Sequence, residues 1–231
     1  MPLIYISPSG QNYNKYAWAG TNEAVQMQKI ARKMENILRT YGCQTVVPGE
    51  ILTMEQRIEQ ANSLGADCYI SLHSAASSQS GCECFFAPEK DGSRELAAQL
   101  NAQMESVSGR KGNGVRDGMQ AYGGLGYAEL RLVQKCPVLI RIETHDRPDM
   151  AKWICGHTSD IASALCTGIL RYVSSLSEEI VAANEGTAVE KARDYYRLYI
   201  QYGVFLDAES ANKASELIGS LGFRRFIFFG K

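Results

Sequence analysis

The run CYISLHSAAS at residues 68–77 decides the fold class, because an apolar strand leads there into a polar segment. CYISL (68–72) has the length and the uninterrupted apolar character of a strand that is covered on both faces of a sheet. The chain contains three histidines, and one of them, His73, follows this run directly. Ligand sites in open α/β sheets lie beyond the carboxyl ends of the strands, so the position of His73 predicts a functional site.

Strand and helix patterns alternate up to about residue 175. Further strands are predicted at LIYI (3–6), CQTVV (43–47), GCECFFA (81–87) and PVLIRIE (137–143). Helices are predicted after a cap at Thr21 or Asn22, at 54–65, from an N-capping Ser93 to about Val107, and over about 150–175. This alternation predicts an α/β fold, a single domain with a mostly parallel central sheet and helices on both of its faces.

The last quarter of the chain differs in composition. The polar, Ala-rich stretch 177–194 is predicted to be a linker or an exposed helix that follows the α/β domain, 1–176. Residues 195–231 form a predicted strand–helix–strand, a small C-terminal β-α-β appendage. Such a unit leaves strand edges open, and proteins usually cover them. We therefore expect the appendage to dock on the α/β domain or to pair with a second chain in a homodimer.

Charge and composition exclude several classes of function. The net charge is −1 and no basic stripe alternates with aromatic residues, which excludes nucleic-acid binding. No apolar run is long enough to span a membrane, and no signal peptide is visible at the N-terminus. Seven cysteines without disulfide or zinc-ribbon spacing predict reduced thiols. Cys82 and Cys84 would lie on one face of a strand, which favours packing in the core over metal binding.

Carboxylates and imidazoles gather at three predicted strand ends. His73 follows one strand, Glu143 and His145 end another, and Glu23 begins the helix after the first strand. Glu143 and His145 are separated by one residue, so both would project to the same side of an extended segment. Imidazoles and carboxylates are the ligands of catalytic zinc sites, and a further carboxylate can act as the general acid/base. Glu23, His73 and one more ligand, with Glu143 as the base, would meet these needs.

Each of these residues also has an ordinary structural interpretation. A single histidine at a strand end is usually a hydrogen-bonded structural residue, and a glutamate at a helix start is favourable to the helix dipole. This interpretation is weakest for Glu143, because a carboxylate that closes an apolar strand is costly unless it is paired or functional.

Seven segments, taken in order, carry a resemblance to a known family. They are IYISPSGQ, TNEAVQM, QRIEQAN, CYISLHSAA, GCECFF, the ELR of GYAELR (129–131), and PVLIRIETHD. In this order they resemble the zinc-dependent N-acetylmuramoyl-L-alanine amidases, which hydrolyse the amide between the lactyl group of muramic acid and L-alanine. The resemblance implies a single α/β catalytic domain, one Zn²⁺ per chain and peptidoglycan as the partner.

The resemblance also implies roles for individual residues. Glu23 and His73 correspond to zinc ligands, and Glu143 corresponds to the acid/base. The histidine that most of the family carries after the first strand is missing, and Gly10 stands near its place. The ISPS-Q opening and the HD after Glu143 resemble a subgroup, so our hypothesis is that His145 supplies the missing ligand. His157, at the start of the last predicted helix, is the other candidate.

Several functional alternatives stay open at this stage. The leading hypothesis is an active hydrolase of cell-wall remodelling or lysis, either an autolysin, a sporulation enzyme or an endolysin. The alternatives are a catalytically inactive peptidoglycan-binding protein that has lost part of the metal site, and a zinc peptidase that cuts stem peptides.

Three expectations concern the rest of the chain and its location. The tail resembles the first half of a SPOR domain, a peptidoglycan-binding unit. Without a visible signal peptide we expect synthesis in the cytoplasm and action on the wall after release or export by another route. The glycine-rich stretch 112–128 is expected to line an open groove for a glycan–peptide polymer.

Overall fold

The computed structural model describes residues 2–49, 52–77 and 79–183, and its centre is a six-stranded sheet. The strands are β1 (Leu3–Pro8), β2 (Gln44–Val46), β3 (Cys68–Ala75), β4 (Glu83–Phe86), β5 (Gly114–Asp117) and β6 (Pro137–Thr144). Their order across the sheet is β2-β1-β3-β6-β4-β5. Strands β2, β1, β3 and β6 are parallel, whereas β4 pairs with β6 in the antiparallel sense and β5 is parallel to β4. The predicted α/β fold with a mostly parallel sheet is confirmed.

Helices cover both faces of this sheet. The longer ones are α1 (Glu23–Thr40), α2 (Met54–Ser63), α3 (Ser93–Ser108), α6 (Pro148–Gly156) and α7 (Thr158–Ala183). A 3-10 turn (Gly118–Gln120) and two short helices, α4 (Ala121–Gly124) and α5 (Ala128–Leu132), lie between β5 and β6. Within the described residues, no helix is long and apolar enough to cross a membrane.

The two faces of β3 carry different side chains. Ile70 and Leu72 belong to the main apolar core, which also contains the buried faces of α1, α3 and α7. Tyr69, Ser71 and His73 alternate with them and therefore point to the opposite face, where α2 and α5 lie. One face of an otherwise apolar strand thus presents a row of polar groups, and this row leads to the candidate site.

Two local predictions, the end of β3 and the cap of α3, differ from the structure. Strand β3 continues to Ala75, so His73 lies within the strand rather than after it. Gly92 precedes α3 with a left-handed backbone, and Ser93 is already helical. The hydroxyl of Ser93 instead accepts from the Ala87 N–H at 2.9 Å and donates to the Pro137 carbonyl at 2.5 Å. These bonds tie α3 to the sheet, so Ser93 has a tertiary role and is not the cap.

The helix predicted over 150–175 is two helices that meet at His157. The His157 backbone leaves the helical region (φ −116°, ψ 24°) and its N–H closes the last turn of α6. The Ile161 N–H then donates to the His157 carbonyl as α7 begins. An apolar stripe with helical spacing runs through both helices, so the periodicity alone did not indicate the break.

The Asn22 cap and the burial of Cys82 and Cys84 were confirmed, and some other predictions fall outside the described residues. The Asn22 side chain caps α1 by accepting from the Val25 N–H. Cys82 and Cys84 are buried in the core, and all seven thiols are free. Residues 1–175 form one compact unit. The predictions for the end of the linker after Ala183 and for the appendage, 195–231, lie outside the described residues.

Candidate active site

Glu23 is positioned by the loop that joins β1 to α1. Because Asn22 caps α1, Glu23 is the first residue of the helix, and its N–H donates to the Asn14 carbonyl at 3.0 Å. Its side chain turns inward and is fully buried. The Asn14 amide donates to Oε2 at 2.6 Å, and the Ser74 N–H donates to Oε1 at 3.3 Å. The loop therefore holds a buried carboxylate at the carboxyl end of the sheet.

His73 lies between two carboxylates. Its Nδ1 is 2.9 Å from Glu23 Oε1, and its Nε2 is 3.4 Å from Glu129 Oε2. The side chain is only 17% exposed. Burial alone would lower the pKa of His73, but the hydrogen bonds and charges of Glu129 and Glu23 outweigh it and raise this pKa to about 9. The structure therefore brings Glu23 and His73 into contact, and their role as zinc ligands stays a prediction.

Glu129 is the site residue that the sequence analysis missed. Its Oε1 accepts from the hydroxyls of Ser7 at 3.0 Å and Tyr69 at 2.7 Å, and its Oε2 accepts from Ser71 at 2.7 Å. Burial would raise the pKa of Glu129, but hydrogen bonds from His73, Ser71 and Tyr69 and the charge of His73 lower it to about 2. The available signal was the set of hydroxyls at alternating positions of two apolar strands, which indicates a buried polar partner.

His145 is close to Glu23 but does not touch it. Its Nδ1 is hydrogen-bonded to the Ser74 hydroxyl at 2.8 Å, and its ring stacks on Tyr16 with a centroid distance of 5.3 Å. Its main chain is held on both sides, since its N–H donates to Ala75 and its carbonyl accepts from Ala17. Burial lowers the pKa of His145, and the charges of Glu23 and Asp146 oppose this. Ser74 therefore links His145 to Glu23.

Glu143 has other partners. Its Oε1 accepts from the N–H groups of Gly81 at 2.7 Å and Thr144 at 2.8 Å. Its Oε2 pairs with Arg110 at 3.3 Å, and the Arg110 guanidinium lies 5.0 Å from the centroid of the Trp153 ring. In the part of the chain that the structure describes, no hydrogen bond or ion pair joins Glu143 to Glu23 or His73.

A bulge in β6 accounts for the different surroundings of Glu143 and His145. His73 pairs with Arg141, and Ala75 pairs with Thr144, so β6 carries one extra residue opposite β3. Simple alternation therefore fails at this point. The expectation that both side chains project to the same side assumed an unbroken extended segment, whereas in the structure they have no partner in common.

His157 caps α6 instead of approaching the site. Its Nδ1 is 2.8 Å from the Trp153 carbonyl, and its ring stacks on the Trp153 indole with a centroid distance of 5.2 Å. Of the two histidines considered for the missing ligand, only His145 is linked to Glu23 through a shared neighbour, Ser74.

The donor types in the site fit a zinc ion, although the full ligand set is not assembled. Among the described residues, no group of three or more His, Cys, Asp or Glu is arranged to hold a metal. Glu23 Oε1 and His73 Nδ1 are 2.9 Å apart. Two ligands of tetrahedral zinc with bonds of about 2.0–2.1 Å lie about 3.3 Å from each other, which is close to this value. A carboxylate at the second ring nitrogen, as Glu129 provides here, is typical of metal-binding histidines.

A family model described as N-acetylmuramoyl-L-alanine amidase matches residues 4–171. The chain belongs to this family. The matched segment includes the six strands, except for the first residue of β1, and the residues of the site just described, namely Glu23, His73, Glu129, Glu143 and His145. The resemblance noted in the sequence is therefore confirmed at the level of the family, whose enzyme class is N-acetylmuramoyl-L-alanine amidase.

Solved structures of amidases share this fold. The catalytic domain of CwlV, from Bacillus (Paenibacillus) polymyxa var. colistinus, is 18% identical with a TM-score of 0.65, over 75% of this chain and 99% of that one. An N-acetylmuramoyl-L-alanine amidase of Clostridium difficile 630 is 22% identical with a TM-score of 0.67, over 75% of this chain and 97% of that one. At these identities the likeness shows the fold.

A shorter match links the chain to a Bacillus subtilis protein. The uncharacterized protein YqiI of strain 168 is 34% identical over 70 residues, which make up 29% of this chain and 34% of YqiI. The match thus spans about a third of that relative.

Proposed function

We propose that this chain hydrolyses the amide between N-acetylmuramic acid and L-alanine in peptidoglycan, with a zinc ion held by Glu23 and His73. Membership of the family supports peptidoglycan amidase activity. The observation that carries the proposal is the 2.9 Å approach of Glu23 Oε1 to His73 Nδ1 at the carboxyl end of the parallel strands. A buried carboxylate and an imidazole in this position are the donors that a catalytic zinc ion uses.

We assign the third protein ligand to His145. Ser74 supports this choice, because its N–H donates to Glu23 and its hydroxyl contacts His145 Nδ1. The present partner of His145 Nδ1 is a neutral hydroxyl, which a cation can displace more readily than it could displace a carboxylate. His157 lacks such a link, since its ring is engaged with Trp153.

We assign the general acid/base role to Glu143. When bound, a zinc ion would polarise the scissile carbonyl and lower the pKa of a water molecule. Glu143 accepts the proton of the attacking water and delivers it to the amine of L-alanine as the amide breaks. Its Oε2 carries out this transfer, because Arg110 is the only partner of this oxygen in the described part of the chain, whereas two N–H groups hold Oε1.

Exposed aromatic and apolar side chains on the loop after β1 and in the glycine-rich stretch suit a polymeric substrate. Tyr13 and Trp18 project from the loop between β1 and α1, and Tyr122 and Leu125 project from the glycine-rich stretch. Tyr122 is 72% exposed and contacts the Tyr127 ring. Aromatic faces of this kind offer apolar contact area to sugar rings, which supports an open groove for the glycan strand.

A defined muropeptide tests the proposed function. The zinc-loaded protein is incubated with an N-acetylmuramoyl-L-alanyl peptide, and the products are identified by mass spectrometry and N-terminal labelling. We expect a free L-alanine N-terminus together with intact N-acetylmuramic acid. A new N-terminus at any other residue would instead indicate a peptidase. Absence of cleavage, with binding to the wall retained, would contradict hydrolysis and favour the binding protein.

Two variants make this assay specific. His73→Ala removes a proposed zinc ligand and is expected to abolish cleavage. His157→Ala removes an imidazole that only caps α6, so cleavage is expected to persist. Equal activity of both variants would contradict the proposed site.

A further inference from the structure

Glu129 is a buried carboxylate that three hydroxyl groups hold in place from two adjacent strands. Ser7 lies on β1, and Tyr69 and Ser71 lie on β3, while Glu129 itself comes from the short helix α5. Burial of a charged group is costly unless hydrogen bonds compensate for the lost hydration. The three hydroxyl groups supply these bonds, and neither the proposed zinc ligands nor the acid/base role accounts for a carboxylate at this position.

The remaining acceptor capacity of this carboxylate faces His73. An ionised carboxylate offers about four acceptor positions, two on each oxygen. Ser7 and Tyr69 occupy Oε1, and Ser71 occupies one position of Oε2. The other position of Oε2 faces His73 Nε2 at 3.4 Å. A proton on His73 Nε2 would donate to this last acceptor position of Glu129. His73 Nδ1 is then the ring nitrogen that faces Glu23.

Contacts around Glu129 fix both the hydroxyl donors and the helix that carries it. Tyr69 stacks on Tyr5 with a centroid distance of 5.3 Å, and the Tyr5 hydroxyl donates to Gln60 at 2.7 Å. Helix α5 is tied to α2 by Asn62, whose amide donates to the Leu132 carbonyl and accepts from the Gln134 N–H, both at 2.9 Å. A carboxylate fixed in this way can set the orientation of an imidazole ring.

We propose that Glu129 is a positioning residue that holds His73 Nε2 as a hydrogen-bond donor, so that Nδ1 is presented beside Glu23 for the metal. The inference rests on the proposed function in one respect, namely that Nδ1 binds zinc. Glu129 touches neither substrate nor metal in this role. It acts through His73.

Zinc affinity tests this role with a matched control. Glu129→Gln keeps the shape of the side chain and removes the charge. Glu35→Gln removes another mostly buried carboxylate, one that Arg32 and Arg39 hold on α1 away from the site. In a competition titration with a chromophoric chelator, Glu129→Gln is expected to bind zinc about 10–100-fold more weakly than the wild type. Glu35→Gln is expected to bind it as the wild type does.

Nuclear magnetic resonance of the imidazole gives a readout that a loss of stability would not mimic. In the ¹⁵N-labelled, zinc-loaded wild type, we expect a slowly exchanging proton on His73 Nε2. Glu129→Gln is expected to broaden or lose this resonance while the backbone amides of β3 remain in place. A protected Nε2 proton in Glu129→Gln would overturn the proposal.

The remaining outcomes separate this role from other roles of Glu129. Zinc affinity within about twofold of the wild type would overturn the positioning role, and a simultaneous loss of activity would make Glu129 the acid/base.

If Glu129→Gln does not fold, Tyr69→Phe removes one hydroxyl donor and keeps the charge, and it must then weaken zinc binding severalfold. If the wild type binds no zinc, the proposed function fails. The Nε2 proton of the metal-free protein then decides the positioning role by itself.

Discussion

His73 Nδ1 lies 2.9 Å from Glu23 Oε1, although the two residues are 50 positions apart in the chain. The contact forms because β1 and β3 are adjacent parallel strands, and Glu23 begins the helix that follows β1. Parallel pairing brings the loops after both strands to the same edge of the sheet. The proposed zinc site rests on this contact.

The zinc content of single variants is expected to identify the ligands. The wild type should bind about one zinc per chain, and His73→Ala and Glu23→Ala should bind almost none, because each loses a donor. His145→Ala should also lose the metal, whereas His157→Ala should keep it. Inductively coupled plasma mass spectrometry of dialysed protein measures this. Zinc retained in His145→Ala would show that this histidine is not the third ligand.

Glu143→Gln is expected to separate catalysis from metal binding. The amide cannot accept the proton of the attacking water, so kcat should fall by about 10²–10⁴. Zinc content should stay at the wild-type level, because the carboxylate is not a proposed ligand. The rate of muropeptide cleavage under saturating substrate checks the prediction, with Glu35→Gln as the control. A fall in zinc content that paralleled the fall in rate would place Glu143 among the ligands instead.

Buried thiols and a buried phenol are expected to destabilise the fold at alkaline pH. Burial raises the pKa of Cys82, Cys166 and Tyr5 to about 12. Above pH 9–10 the unfolded chain loses these protons first, so the folded state binds more protons and the free energy of unfolding falls as the pH rises towards 12. This contribution to stability is fully present below the unfolded pKa values and is lost as the pH rises through the folded pKa values of about 12.

Urea unfolding at several pH values between 8 and 11 measures this effect. Cys166→Ala removes one of these groups, so the alkaline slope should decrease by up to about 1.4 kcal/mol per pH unit. A slope equal to that of the wild type would show that Cys166 ionises as easily in the folded protein as in the unfolded chain.

Gly118 is expected to be required for the close packing of α5. A Cβ at this position would clash with the buried Leu130 side chain and would lie 3.1 Å from Phe85 Cβ and 3.3 Å from the Phe86 carbonyl. Gly118→Ala should therefore lower the free energy of unfolding by about 1–3 kcal/mol. Gly49→Ala is the control, because nothing lies within 4 Å of its added methyl group. Equal stability of the two variants would show that α5 can shift without cost.

Local patterns predicted most of the fold. Apolar runs placed five of the six strands, and an Asn22 cap followed by helical spacing placed α1. Strand β5 was missed because its residues, Gly114–Asp117, lie in a glycine-rich stretch without an apolar run. The direction of β4 was also missed, since a strand that pairs in either sense has the same composition.

The candidate site, like the fold, could be predicted from the sequence only in part. Glu23 and His73 could be predicted as members of one site, because Glu23 begins the helix after the first strand and His73 follows the apolar run of another strand. Glu129 could not, because its partners are 122, 60, 58 and 56 positions away and the helix that carries it has five residues. Glu143 and His145 have different partners beside the bulge in β6, and no characteristic amino-acid composition marks this bulge in the sequence.

By itself the sequence determined the fold class and most of the strands and helices, and it marked Glu23 and His73 as candidate site residues, because these features depend on local periodicity and residue type. The meeting of Glu23 with His73 depends on the pairing of β1 with β3. Only the tertiary structure decided which carboxylate supports His73, how Glu143 is paired and that Ser74 links His145 to the site. Those features depend on hydrogen bonds between distant segments and on a register shift. Such contacts are selected by the packing of the whole sheet and leave little trace in any short stretch of sequence.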